Sequence, residues 1–491
     1  MPRPAVERLA ALLPPDFLLG VATAAFQIEG ALGDDGRGPS GWDDFARRPG
    51  AIANGDSPAV SADHYHRLTE DVALIARLGV DAYRLSIAWP RVQPDGRGTW
   101  NEKGWAFYER LVDLLLEAGV RPVVTLYHWD TPLPLEHDGG WLARETAQRF
   151  ADYAAEAGRR LGDRVARWIT VNEPVTVTLN GYGLGVHAPG RELLFDALPS
   201  VHHQLLAHGL GVQALRASGA RGGIGITNLH APVFPKSRRP LDRAHAGVFD
   251  LIFNRLYADP VLLGRYPRIP WLARTDFRPL AAAIRPGDLA AIRQPLDFYG
   301  LNYYYPVRVA AGGLGTGPGS NPSGSPAEHG SHPPALTRLP FHLADFPEYP
   351  RTGFGWPIAP QHIALQLAEL HTRYASALPP VVVTENGASF PEPDRVDGEL
   401  DDRQRIDYLA SHLEAALLAV RPGGPAEGVR LAGWFVWTLL DNFEWAAGYS
   451  QRFGLVHVDF DTLKRTPKAS FEWLRRLTAA RRAAARRAAR T

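Results

Sequence analysis

Eight short apolar runs alternate with helical stretches along the 491-residue chain, and this alternation narrows the choice of fold more than any other feature. The runs lie at 17–26, 82–87, 120–128, 167–174, 222–229, 296–304, 381–387 and 431–440. The seventh, Val381-Val-Val-Thr-Glu-Asn-Gly387, opens with three β-branched residues in a row, the pattern of a strand covered on both faces. Between the runs, apolar residues recur at helical spacing. Val72, Leu74, Ile75 and Leu78 do so in a helix expected to open at Asp63 and stop at Gly79, and Leu111, Leu114 and Leu115 do so ahead of Gly119. Segments 146–161, 203–217, 360–378 and 404–421 continue the pattern, and 243–292 is helical and punctuated by prolines.

Strands that alternate with helices pair in parallel through right-handed crossovers. Eight such units predict an α/β protein with a single (β/α)8 TIM barrel and elaborated loops at the carboxyl-terminal face of the strands. An open doubly wound sheet would call for a glycine fingerprint after the first strand, and Gly20-Val-Ala-Thr-Ala-Ala-Phe26 lacks it. The expected organisation is a lead-in at 1–14, a barrel domain at 15–475 and a basic Arg/Ala tail at 476–491. Residues 311–334, with Gly, Pro or Ser at 16 of 24 positions, predict a flexible loop on the catalytic face after the sixth strand. The arginines of the tail predict a solvated, fraying terminal helix.

Composition removes several function classes. Lys and Arg total 53 against 52 Asp and Glu, so net charge calls for neither nucleic acid nor membrane as partner. The absence of cysteine excludes disulfides, thiolate metal sites and a cysteine nucleophile. The first sixteen residues contain no apolar run of signal-peptide type, and no stretch approaches eighteen apolar residues, which predicts a cytoplasmic protein. Oligomeric state stays open, and a homo-oligomer is compatible with everything above.

In a barrel of this kind the chemistry sits at the carboxyl ends of the strands. Those ends carry Gln27, Arg84, His128, Asn172 with Glu173, Asn302 with Tyr304, Glu385 and Trp437. Glu173 and Glu385 end strands four and seven, which face each other across the mouth. Two opposed carboxylates are the minimal equipment for glycoside hydrolysis: one protonates the leaving oxygen while the other attacks or activates water. Arg84 and Tyr304 are suited to hold a carboxylate in its ionised form. Gln27, His128, Asn172 and Glu444 offer donors and acceptors for sugar hydroxyls, and Trp129, Trp356, Trp437 and Trp445 offer flat faces for the C–H side of a pyranose.

From about residue 15 to 475 the chain resembles the family 1 glycoside hydrolases, the retaining β-glucosidase family. The resemblance rests on Phe-Leu-Leu-Gly-Val-Ala-Thr-Ala-Ala-Phe-Gln-Ile-Glu-Gly, Tyr-His-Trp-Asp, Thr-Val-Asn-Glu-Pro, Gly-Leu-Asn-Tyr-Tyr, Thr-Glu-Asn-Gly and Trp-Thr-Leu-Leu-Asp-Asn-Phe-Glu-Trp, in that order. It implies exo-acting hydrolysis of small β-glycosides and cello-oligosaccharides by double displacement, with Glu385 as nucleophile and Glu173 as acid/base. Arg84 and Tyr304 would hold Glu385, and Asn172 would meet the sugar 2-hydroxyl. Gln27, His128, Trp129, Asn302, Trp437, Glu444 and Trp445 would shape the sugar site, with Trp356 on the leaving-group side. Glu444 would repel a 6-phosphate, which favours unphosphorylated sugars. No cofactor or metal is implied. One departure stands out: Val175 occupies a position where much of the family has tryptophan. Two rival functions remain. One is a metal-dependent barrel hydrolase using His64 and His66, although these open a helix rather than end a strand. The other is a non-catalytic sugar-binding barrel, which would be expected to have lost one carboxylate.

Overall fold

The computed structural model describes residues 3–270, 273–312 and 339–488. Eight parallel strands form a closed barrel: β1 (Leu18–Ala22), β2 (Ala82–Ser86), β3 (Arg121–Tyr127), β4 (Arg167–Asn172), β5 (Gly223–Leu229), β6 (Phe298–Asn302), β7 (Val381–Asn386) and β8 (Leu431–Trp437). Each pairs with its neighbour in sequence, and β1 closes the ring against β8, Leu18 opposite Gly433 through Ala22 opposite Trp437. All eight expected strands are present. The first is shorter than its apolar run, because the chain leaves the sheet at Ala22 and the helical turn Ala25–Ile28 follows. The helix expected to open at Asp63 begins at Leu68, after a turn in which Asp63 has φ 53°.

Alternation sorts the strand residues into two layers. Leu19, Val21, Tyr83, Leu85, Val124 and Leu126 pack outward against the helices. Leu18, Ala22, Ala82, Val123, Ile169, Phe298, Val382 and Phe435 form a separate cluster inside the barrel. Two phenylalanine rings fit there because glycines face them. A Cβ on Gly20 would lie 2.4 Å from the Phe435 ring, and one on Gly225 would lie 2.8 Å from the Phe298 ring. Emptying either ring position by substitution to alanine would cost about 3–5 kcal/mol.

Two strands break the alternation just before the mouth. The β4–β5 register shifts between Ile169 and Asn172, and β7 shifts between Val383 and Glu385 against β6 and between Val383 and Asn386 against β8. Such bulges re-aim side chains. Here the consecutive residues Thr384 and Glu385 both bond groups at the mouth, which a regular strand forbids.

Helices near both ends of the chain are packed into the barrel's outer layer. Helix Arg3–Leu12 buries Val6, Leu9 and Ala10 and lies against helix Ala469–Ala488. That last helix runs unbroken across the expected boundary at 475–476, with Leu477, Thr478 and Arg481 buried. Thr478 donates to Leu78 O at 2.9 Å, and Arg481 pairs with Asp81 and donates to Phe17 O. The arginine pattern therefore marks a docked helix over this part of its length. Of the expected loop at 311–334, Ala311 ends a strand, Val307–Ala311, and residues from 313 onward lie outside the described residues. That strand forms a small sheet with Val233–Pro235 and Phe341–Ala344. Among the described residues, no helix is long and apolar enough to cross a membrane.

Candidate active site

Glu385 is buried at the end of β7 and is held at both oxygens. Arg84, on β2, donates to Oε1 at 2.5 Å, and the Tyr304 hydroxyl donates to Oε2 at 2.7 Å. Arg84 is fixed by three further bonds: to Thr384 O at 3.0 Å, Asn172 Oδ1 at 2.6 Å and Thr125 Oγ1 at 3.1 Å. Charge-assisted bonds of this kind pin a carboxylate in one orientation.

Glu173 follows β4 in the left-handed region, φ 46°, at the turn into Pro174–Thr176. Asn302 donates to its Oε1 at 2.6 Å and Thr176 to its Oε2 at 2.7 Å. Burial first, and the nearby charge of Glu385 second, push its pKa from 4.5 up to about 8, against the opposing pull of those two hydrogen bonds and of Arg84. Trp129 and Trp445 share the positive φ, at 78° and 51°. Each such non-glycine residue costs on the order of 1–3 kcal/mol, and such residues gather at functional sites.

Asn172 links the two carboxylates. Its Oδ1 accepts from Arg84 and from Asn302 Nδ2 at 3.2 Å, so its amide nitrogen is the group facing His128 Nε2 at 3.2 Å. Burial, and then the charge of Arg84, hold the His128 imidazole well below its ordinary pKa and therefore neutral. Nε2 accepts, which leaves a proton on Nδ1. Among the described residues that donor is buried without a protein partner, as is the acceptor Gln27 Oε1. Buried polar groups demand partners, and sugar hydroxyls would supply them.

Gln27 sits in the helical turn after β1 and donates to Glu444 Oε2 at 3.1 Å and Asn442 Oδ1 at 3.1 Å. Aromatic rings wall the cleft on two sides. The His128 ring lies parallel to Trp437 and Trp445, with Trp129 4.5 Å from Trp445. Trp445 is backed by Phe26 at 5.9 Å and Trp42 at 4.6 Å. Opposite, Trp356 stacks on Phe354 at 4.7 Å and lies 4.9 Å from Tyr305. Glu173, Glu385, His128, Trp129, Trp356, Trp437, Glu444 and Trp445 all line one cleft. Asn172, Asn302, Arg84 and Gln27 stand behind it.

Three contributors are absent from the sequence-based set. Thr176 holds Glu173, Thr384 donates to Asn302 Oδ1 at 2.8 Å, and Asn442 fixes Gln27. Asn442 and Thr384 had a signal, since each lies in a motif already singled out, two positions before Glu444 and one before Glu385. His64 and His66 do not share a ligand space. His64 is buried on Asp71 at 2.8 Å, whereas His66 is exposed and bonded to Asp63 at 2.6 Å. Among the described residues, Glu392, Asp441 and His457 come within 4.8 Å of one another. Lys468 already bridges Glu392 at 2.5 Å and Asp441 at 2.9 Å, and Arg452 meets Asp441 at 3.1 Å. This is an ion-pair cluster, and it anchors the base of the segment that carries Asn442 and Glu444.

Comparison with known proteins matches residues 9–483 to the description "Glycosyl hydrolase family 1". The chain is 41% identical over 462 residues to β-glucosidase A of Thermotoga maritima, covering 94% of this chain and 96% of the relative. It is 42% identical over 478 residues to the bifunctional β-D-glucosidase/β-D-fucosidase of Bifidobacterium breve, covering 95% and 98%. Among solved structures it is similar to the psychrophilic β-glucosidase BglU from Micrococcus antarcticus, with a TM-score of 0.88 and 44% identity over 97% of this chain and 99% of the other.

Proposed function

This chain belongs to glycosyl hydrolase family 1, and from that premise we propose that it is an exo-acting retaining β-glycosidase. It removes the non-reducing terminal β-D-glucosyl residue, and galactosyl or fucosyl residues, from small glycosides and cello-oligosaccharides. Glu385 attacks the anomeric carbon while the protonated Glu173 gives its proton to the departing oxygen. Forming the glycosyl ester removes the Glu385 charge, so Glu173, its proton already spent on the leaving group, stays ionised and deprotonates the water that releases the sugar. Asn172, with one amide hydrogen still unspent, meets the 2-hydroxyl; Gln27, His128 and Glu444 take the remaining hydroxyls.

The observation that carries these roles is the asymmetry of the two carboxyls. Glu385 takes its bonds from a guanidinium and a phenol, whereas Glu173 is buried and pushed up to about 8. Environments that drive two acids apart divide them into base or nucleophile and proton donor. A non-catalytic barrel has no need of that division. The test is proton NMR of the first sugar released from an aryl β-glucoside: the β-anomer is expected, and the α-anomer would overturn retention. We place the enzyme in the cytoplasm, where small β-glycosides, cellulose-derived oligosaccharides among them, are its substrates.

A further inference from the structure

Beside the catalytic cleft lies a second, strongly apolar pocket, walled by Val175, Leu179, Phe195, Ile252 and Phe253. It shares Thr176, Asn180, Leu229 and Tyr305 with the cleft, so the two spaces adjoin. Thr176 is the residue that holds Glu173 Oε2 at 2.7 Å. The pocket thus begins beside the group that protonates the leaving oxygen, on the side to which the leaving group departs.

A second observation points to the same place. Val177–Gly183 and Leu251–Arg255 are wound as π-helix. Such winding is found in well under about 1% of residues and is frequent at functional sites. Both segments contribute to this pocket, through Leu179 and Asn180 and through Ile252 and Phe253.

The wall's chemistry selects the occupant. The Thr176 hydroxyl is committed to Glu173, and the Thr178 hydroxyl to Gln204 at 3.0 Å and Ser200 at 2.9 Å. A second sugar here would bury hydroxyls against apolar carbon with few partners, which is costly. An alkyl chain or a fused ring system has no such cost and gains with every carbon buried.

We propose that this pocket seats the leaving group, and that the preferred substrates are β-glycosides of apolar alcohols larger than a single ring rather than disaccharides. The proposal rests on the glycosidase function given above and adds its substrate class. It is tested by kcat/KM for methyl, butyl, hexyl and octyl β-D-glucosides and cellobiose. Simple alcohols leave with nearly equal ease, so the slope along the series reports burial. The expected result is a rise of about fourfold per methylene, with octyl glucoside well above cellobiose. In Val175→Trp and, independently, Leu179→Gln, the octyl-to-methyl ratio should fall at least tenfold. A flat series in the natural enzyme, or a ratio unmoved in both variants, would overturn the pocket's role while leaving the glycosidase intact. Failure to hydrolyse any member would overturn both.

Discussion

Replacing Glu173 by glutamine removes a charge that its surroundings resist, and the consequence for stability follows from the site's geometry. Burial and the Glu385 charge lift this carboxyl from 4.5 to about 8, so full ionisation in the folded state costs about 5 kcal/mol relative to the unfolded chain. Below pH 4.5 both states hold the proton and nothing is lost. Between 4.5 and 8 the unfolded chain releases its proton while the folded protein keeps it, so stability falls as pH rises. Glutamine retains the shape and the contacts to Asn302 and Thr176 but cannot ionise. Glu173→Gln should therefore exceed the natural protein in stability by about 1 kcal/mol at pH 5, about 3 at pH 7 and about 4 at pH 8. For a domain of this size that is a Tm gain growing from about 1 °C to about 4 °C. Thermal unfolding of the two proteins at matched scan rate across this range is the assay. A Tm difference that does not grow with pH would refute the reasoning.

Three further outcomes are expected. Thr176→Val deletes a bond that pulls the Glu173 pKa down, so the alkaline limb of kcat/KM should move upward from near pH 8 by about one pH unit; a pH–rate profile reads it, and a downward move would contradict the assignment. Tyr304→Phe removes the 2.7 Å bond to Glu385 Oε2 and should lower kcat/KM about 10- to 100-fold, the value of a hydrogen bond to a charged group, with little change in Tm. Lys468→Met removes the cation shared by Asp441 and Glu392 but leaves them Arg452 and Arg405, and should cost about 1.5–3 kcal/mol in chemical unfolding, the value of a hydrogen bond to a charged group. Because its cationic partners hold Asp441 below its ordinary 3.8 despite burial, the network's contribution is present above that pH and lost as pH falls below it.

The eight strands and most of the cleft were legible because both are written in local patterns. β-branched runs ending in Asn-Glu, Glu-Asn or His-Trp identify the strand and the residue at its mouth together, and Arg84, Tyr304 and Glu385 could be paired once the barrel placed their strand ends in one ring. What stayed hidden depends on register and distant packing. Periodicity puts Thr384 and Glu385 on opposite faces, and only the shift against β6 and β8 brings both to the mouth. The left-handed turn at Glu173 precedes a proline and carries no glycine or asparagine at its own position to announce it. The arginines after 475 look like a solvated tail until Arg481 meets Asp81, 400 residues earlier in the chain. The apolar pocket arises where segments near 180 and 250 meet, a juxtaposition that no local window contains.

The division of labour between the two carboxyls is tested most directly by trapping the covalent intermediate. A 2-deoxy-2-fluoro-β-glucoside with a good leaving group slows the release of sugar, and mass spectrometry of the digested protein then locates the ester. Nucleophilic attack by Glu385 predicts a single fluoroglucosyl group on the peptide containing Thr-Glu-Asn-Gly, at Glu385. An adduct at Glu173 or elsewhere, or turnover that proceeds with no adduct at all, would contradict it.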